Sequence, residues 1–533
     1  MACGSSVTPA ARVASARPPA ECALFQRLNG SNVGKAHTRR GRGRCTARAG
    51  AGKNDYATDV QTPHLDAFAE RSCVFDNHWI GSAPCMPARR DILTGRYNFL
   101  ERPWGPIEPF DVTLPACLRA NGNFCHITTD HCHYLRTGGE GYLQEFNTWD
   151  YYRGQEGDPW VSRIDEPNNM PETFYGRVRE QYQKNRQLWP SEEDMPSPKT
   201  FQSACDWIDG NAGADDFFLM VEAFDPHEPF DVPDKYMEMY GGTGGLDRDY
   251  FEIPEYKRVS ATDVNPEAED YLQRRYKALV TMTDHWFGKL IDKLAERGML
   301  EDTMVMVTTD HGYFLGERDY MGKNYMHLYN ELAHLPFIVH FPGNARAGEH
   351  AHQLTQAIDI MPTVLDAHGC EIPADVCGAS LVPLMTDPDA PTRDYALYGV
   401  HAMTVNVTDG RHTYFRAPVP GNQPCFEYAA LPHTIRKKMG SDCPEEIECG
   451  RYFKRTKYPL FKIPCRKPAQ IEGAAPLAEV SETMLFDLES DYGQVNNLAG
   501  KGDPAEQHMI DLLLRGLEEH EAPAEQKERL GLG

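Results

Sequence analysis

From about residue 55 the chain alternates short, largely apolar runs with longer stretches in which apolar positions recur every third or fourth residue. FCHITTD (124–130), FFLMVEAF (217–224), TMVMVTTD (303–310) and LPFIVHF (335–341) lack the in–out alternation of a half-exposed strand. Such runs predict strands buried on both faces of a mostly parallel sheet. QTPHLDAFAERSCVF predicts a short helix with Leu65, Phe68 and Ala69 on one face, then a strand into Phe75. Residues 270–298 predict a long amphipathic helix: Leu272, Tyr276, Leu279, Thr283, Trp286, Leu290 and Leu294 follow i, i+3/i+4 spacing, and Gly298 closes it. Strand–helix alternation of this kind implies an open α/β sheet covered by helices on both faces.

The pattern changes near residue 386, where strand-like stretches such as ALYGVHAMTVNVTDG and HTYFRAP take over. The expected organisation is an N-terminal segment over 1–54, a catalytic α/β domain over 55–385 and a smaller α+β domain over 386–520. The polar, aromatic stretch 144–200 reads as an insertion at the functional edge of the sheet. The closing QKERLGLG reads as a frayed end.

Charge changes the picture at one end. The net charge is −24 over 533 residues, which argues against a general nucleic-acid binder. Residues 1–53 nevertheless carry eight Arg and two Lys against one acid, Glu21, so this segment is +9 and the remainder −33. It lacks the apolar core of a secretory signal, and its composition fits a transit segment, a disordered tail or an aberrant start. No apolar run approaches the roughly 20 residues that a membrane span needs. A cytoplasmic or organellar location is expected. The fifteen cysteines then read as free thiols, including the late group Cys425, Cys443, Cys449 and Cys465.

Chemistry gathers after the predicted strands. Asp130, His131 and His133 follow the first run, Asp225 and His227 the second, Asp310 and His311 the third. Ligands of open α/β sheets bind beyond the carboxyl ends of strands, so three carboxylate–imidazole sets converge on one edge. SAPCMPARRDILTG adds a fourth contribution. Pro87 suits the first turn of a helix that Gly95 ends, which puts Cys85 at the helix N-terminus, where an anion is favoured. Arg89 lies one turn on and reaches back to the same place. A thiol there is activated rather than inert.

CMPARRDILTGRY resembles the sulfatase signature C-x-P-x-R followed by L-T-G. TPHLDAFAE, DPHEPF, the block TTDHGYFLGERDYMGKNYMHLYNELAHLPFIVHFPG and the closing LFDLESDYGQVNNLA are similar to other family segments, in the same order, over residues 55–500. The resemblance implies an alkaline-phosphatase-like α/β sandwich with a smaller C-terminal domain. It implies that a formylglycine-generating enzyme oxidises Cys85 to formylglycine, the nucleophile toward a sulfate ester. By the same resemblance Arg89 stabilises that residue, His131, His227 and Lys323 serve the transferring group, and Asp310 and His311 join residue 85 as ligands to a divalent cation, Ca²⁺ first. The implied substrate is a sulfated small molecule or glycan, with no nucleic-acid or membrane partner.

Two departures stand out. The family's first strand ends in a pair of metal-binding aspartates, and residues 1–54 contain no Asp. The sheet is therefore expected to lack a central strand. Where the family has G-K-W-H, ITTDHCHY puts Thr129 at the lysine position and keeps His131. Two other readings stay open: a phosphodiester or phosphonate monoester hydrolase of the same superfamily, and an inactive remnant.

Overall fold

The computed structural model describes residues 21–26 as a backbone strand, together with 60–164, 180–244, 253–323, 325–431, 446–465 and 481–533. The strands of its larger sheets, in chain order, begin with β1 (Glu21–Gln26), β2 (Cys73–Phe75), β3 (Ser82–Ala83), β4 (Phe124–Thr129), β5 (Thr148–Tyr151), β6 (Phe217–Glu222), β7 (Thr303–Thr308), β8 (Phe337–His340) and β9 (Glu349–Ala351). All but β3 form one eight-stranded sheet in the order β9-β2-β8-β7-β1-β6-β4-β5. Only β8 runs against its neighbours; β1, β4, β5, β6 and β7 are parallel.

The apolar runs are continuous because both faces are covered. Phe217, Leu219 and Val221 of β6 join one core cluster, and Phe218 and Met220 join the other. Helices α1 (Pro63–Glu70), α3 (Pro196–Gly210) and α4 (Pro266–Glu296) cover the first face. Helix α2 (Cys85–Thr94) contributes Met86, Ile92 and Leu93 to the second. The three expected helices form: α1 buries Leu65, Phe68 and Ala69, α2 ends at Gly95, and α4 buries its apolar stripe. In α4 the Asn265 side chain caps by accepting from the Ala268 N–H.

The expectation of a missing central strand is overturned. Glu21–Gln26, placed by sequence outside the folded domain, runs between β6 and β7, with Gln26 in register with Glu222 and Thr308. The rest of the 1–54 segment lies outside the described residues.

The second half adds β10 (Ala396–Val400), β11 (Val405–Thr408), β12 (His412–Arg416), β13 (Phe426–Ala429), β14 (Glu448–Gly450), β15 (Leu460–Pro464) and β16 (Met484–Asp487). A five-stranded sheet has the order β16-β12-β11-β10-β3, so β3 crosses the expected boundary at 385. A small sheet has the order β13-β15-β14. Helix α5 (Ala505–Glu519) packs Met509, Leu512, Leu513 and Leu517 on the larger sheet. The end of the chain is not frayed: α6 (Glu525–Arg529) buries Gln526 and Arg529, and Leu530 joins the same core. Among the described residues no helix is long and apolar enough to cross a membrane.

Candidate active site

Because β4, β6 and β7 are parallel, their carboxyl ends deliver Asp130, Glu222 and Asp310 to one edge. Helix α2 starts at that edge. Its first residue is Cys85, and Gly95 stops it with φ 63°, a left-handed conformation that glycine adopts without strain. The approach to Cys85 is pinned by buried Asp91. Its carboxylate accepts from the Ser82 N–H at 2.5 Å and Oγ at 2.8 Å, and from the Asn98 N–H at 3.0 Å and Nδ2 at 2.8 Å. Burial raises the Asp91 carboxyl to about 6 despite these bonds.

Four expected residues meet at the start of α2. The Cys85 Sγ lies 3.2 Å from His311 Nε2. His311 Nδ1 faces the Gly312 carbonyl at 2.8 Å. A carbonyl only accepts, so Nδ1 carries the proton and Nε2 turns its lone pair to the thiol. Arg89, fully buried, donates through Nη1 to Asp310 Oδ2 at 2.6 Å and through Nε to Glu222. Those two carboxylates hold its guanidinium well above the ordinary arginine range against the opposing effect of burial. Its remaining nitrogen, Nη2, is buried without a hydrogen-bond partner among the described residues.

His227 and Lys323 form the second group. His227 Nδ1 donates to the Glu228 carbonyl and lies 3.2 Å from the Glu228 carboxylate. Its Nε2 therefore accepts from Lys323 Nζ, at 2.7 Å. Asp310 and His311 of the first group and His227 and Lys323 of the second line one small cleft, together with Glu228 and Tyr313.

His131 stands apart from this cleft. It is fully buried, with Nε2 3.2 Å from Met86 Sδ and its ring against Tyr134 and Phe224. Asp130 and Asp225 are braces. Asp130 accepts from the Phe224 N–H at 2.7 Å, Ser197 Oγ at 2.6 Å and Gln155 Nε2 at 2.9 Å. Gln155 also donates to Asp225. Burial raises Asp130 to about 6 and raises Asp225 as well, with the Asp130 charge adding to the second. His133 lies 3.9 Å and His227 3.8 Å from the Glu156 carboxylate, so the 144–200 stretch does reach the functional edge.

Sequence reasoning missed Glu222, Tyr134, Glu156 and Glu228. The signal for Glu222 was present: it is the one charged residue in FFLMVE, and it ends a strand whose every residue is buried. Tyr134 OH donates to its other oxygen at 2.7 Å.

Asp310, His311 and Cys85 place one ligand atom each within 4.8 Å of one another. That is the donor set expected for Ca²⁺, and it does not fit. Calcium takes six to eight oxygens. The described residues here supply one carboxylate, one imidazole and a thiol, and Asp310 already shares the Arg89 guanidinium with Glu222.

The sulfatase family model matches residues 46–370, more than half of the chain. The chain is 24% identical over 392 residues to an arylsulfatase of Clostridium perfringens, covering 64% of this chain and 77% of that protein. It is 24% identical over 388 residues to a choline-sulfatase of Rhizobium meliloti, covering 67% and 73%. It is 27% identical over 394 residues to the multifunctional alkaline phosphatase superfamily protein PehA of Trinickia caryophylli, covering 62% and 72%. Among solved structures, a protein bound to its substrate D-glucosamine-2-N,6-O-disulfate superposes with a TM-score of 0.62 at 16% identity, over 95% of this chain and 98% of that one. A phosphonate monoester hydrolase from Silicibacter pomeroyi gives 0.59 at 20% identity, over 95% of each. The fold is thus the alkaline-phosphatase-like sandwich, and with the family model matched over more than half of its length the chain belongs to the sulfatase family.

Proposed function

We propose that this chain hydrolyses the sulfate ester of a sugar, using residue 85 as its nucleophile after conversion of Cys85 to formylglycine. One observation carries the reading: Arg89 is locked one turn from Cys85 with Nη2 buried and unspent among the described residues. A buried guanidinium donor beside a helix N-terminus is built for an anion. The sugar class rests on the substrate named for the glucosamine disulfate relative.

Formylglycine fits the position, since it replaces a thiol by oxygens at a helix start already arranged for an anion; its hydrate supplies an oxygen nucleophile and a route back to the aldehyde. The chain's own residues supply the rest. His311 Nε2 points its lone pair at residue 85 and can take a proton there. Arg89 Nη2 donates toward the entering sulfate oxygens. Lys323, which lines the cleft, adds a second positive charge. His227, fixed as the Nε2 acceptor by Glu228, shares the Lys323 proton and can pass it to the departing alcohol oxygen. With the calcium donor set incomplete among the described residues, the charge on sulfate is assigned to Arg89 and Lys323.

The test has two readouts. The peptide Ser72–Arg89 of protein purified from its native cell should carry an aldehyde or its hydrate at position 85. The same protein should turn over an aryl sulfate faster than an aryl phosphonate or phosphate diester. The reverse preference would favour the phosphonate hydrolase reading, which the PehA and Silicibacter pomeroyi relatives support. An unmodified thiol in native protein would refute the nucleophile and leave the remnant.

A further inference from the structure

Far along the chain from the catalytic residues, His401, Cys425 and Cys465 place one ligand atom each within 4.8 Å of one another. His401 follows β10, Cys425 immediately precedes β13, and Cys465 immediately follows β15. The two cysteines are cross-strand neighbours. Phe426 pairs with Pro464, and the Cys465 N–H donates to the Cys425 carbonyl at 2.9 Å. His401 and Cys425 are buried and Cys465 is partly so.

The histidine is oriented as a ligand. Its Nδ1 faces the Phe99 carbonyl at 3.0 Å, so the proton sits on Nδ1. Nε2 then aims a lone pair at Cys465 Sγ, 3.4 Å away. A backbone carbonyl that fixes the far nitrogen is the usual second partner of a metal-bound imidazole. A tetrahedral zinc with Zn–N of about 2.05 Å and Zn–S of about 2.3 Å sets those two ligand atoms about 3.6 Å apart.

We propose that His401, Cys425 and Cys465 bind a thiophilic d¹⁰ cation, zinc above all, which ties the small sheet β13-β15-β14 to β10 of the five-stranded sheet. A Cys425–Cys465 disulfide removes both S–H protons and buries His401 Nε2 against sulfur with no donor. A buried acceptor left unpaired is costly. A cation satisfies all three atoms at once and keeps a fourth position for water.

Glu427 and Glu525 face the pair beside Arg529, and zinc binding would release the thiol protons.

The experiment is zinc titration of the full chain, purified under reducing conditions, with metal content read after gel filtration. The Cys85→Ser variant removes any contribution from the catalytic thiol. About one zinc per chain is expected in both wild type and Cys85→Ser, and loss of that zinc in Cys425→Ser and, independently, in His401→Gln. Cobalt should give a thiolate charge-transfer band in the first two proteins and none in the last two. The His401→Gln variant keeps the test open should Cys425→Ser not fold. Equal zinc in wild type and both site variants would overturn the proposal. So would a Cys425–Cys465 disulfide in peptides mapped from the native protein without reductant.

Discussion

The residue that decides the most is Arg89, and its neighbours explain why. A guanidinium at 0% exposure must be paired, and Glu222 and Asp310 pair it. Glu222→Gln removes half of that compensation. The expected loss is about 3–5 kcal/mol of unfolding free energy, the range for breaking a buried ion pair. Urea denaturation measures it, and a loss under 1 kcal/mol would show that Glu222 does not hold Arg89. Lys323→Met keeps most of the side chain's volume and removes its charge. It should lower kcat about 10²–10³-fold on an aryl sulfate, the range for deleting one preorganised donor. His227→Asn should cost about as much, and the double variant little more, because His227 and Lys323 share one hydrogen bond and act as a unit. Additive losses would separate their roles.

At the scale of elements, the start of α2 is held by one acid. Asp91 ties the strand before Cys85 to the segment after α2, and Gly81 leaves room for it: a Cβ there would lie 2.3 Å from Asp91 Oδ2. Asp91→Asn faces donors with donors on one side. It should cost about 2 kcal/mol, as for an unmet buried donor, and lower kcat more than it raises KM, because Cys85 is displaced while the His227–Lys323 pair stays. An unchanged kcat would show that Asp91 serves folding alone. The sequence announced α2 by Pro87 and Gly95, and it announced α1, α4, β4, β6 and β7 by unbroken apolar runs or helical period. It did not announce β1. ECALFQ is six residues with no β-branched side chain, set among Arg, Gly and Pro. What selects it is the gap between two parallel strands, a tertiary demand that local pattern does not carry. His131 was legible as a motif residue, but its burial on Met86 depends on how β4 meets α2, which no spacing encodes.

At the scale of the molecule, the half of the chain that holds Cys85 is not self-sufficient. The strand that leads into Cys85 is β3, and its parallel partner is β10, with Gly399 opposite Ser82 and Val400 opposite Ala83. The core behind that sheet draws Tyr97, Phe99 and Leu100 from that half, and Leu513, Leu517 and Leu530 from the last turns of the chain. A composition shift at residue 386 marks a change of architecture, from buried parallel strands to antiparallel ones, without marking a separable unit. Residues 1–385 expressed alone would expose the edge of β3 and the apolar face that α5 and α6 cover. That fragment should be insoluble, or soluble without a cooperative unfolding transition, and the full chain should unfold in one transition seen alike by circular dichroism and tryptophan fluorescence. Removing only residues 521–533 tests the same coupling more gently. It strips Gln526, which donates to the Leu100 carbonyl at 2.9 Å, and Arg529, which donates to the Met403 carbonyl at 2.8 Å, from the segment that follows α2 and the loop after β10. The expected outcome is a lower melting temperature together with weaker turnover of an aryl sulfate. A truncated chain of full activity and unchanged melting would show that the last helix is an ornament on an independent catalytic domain.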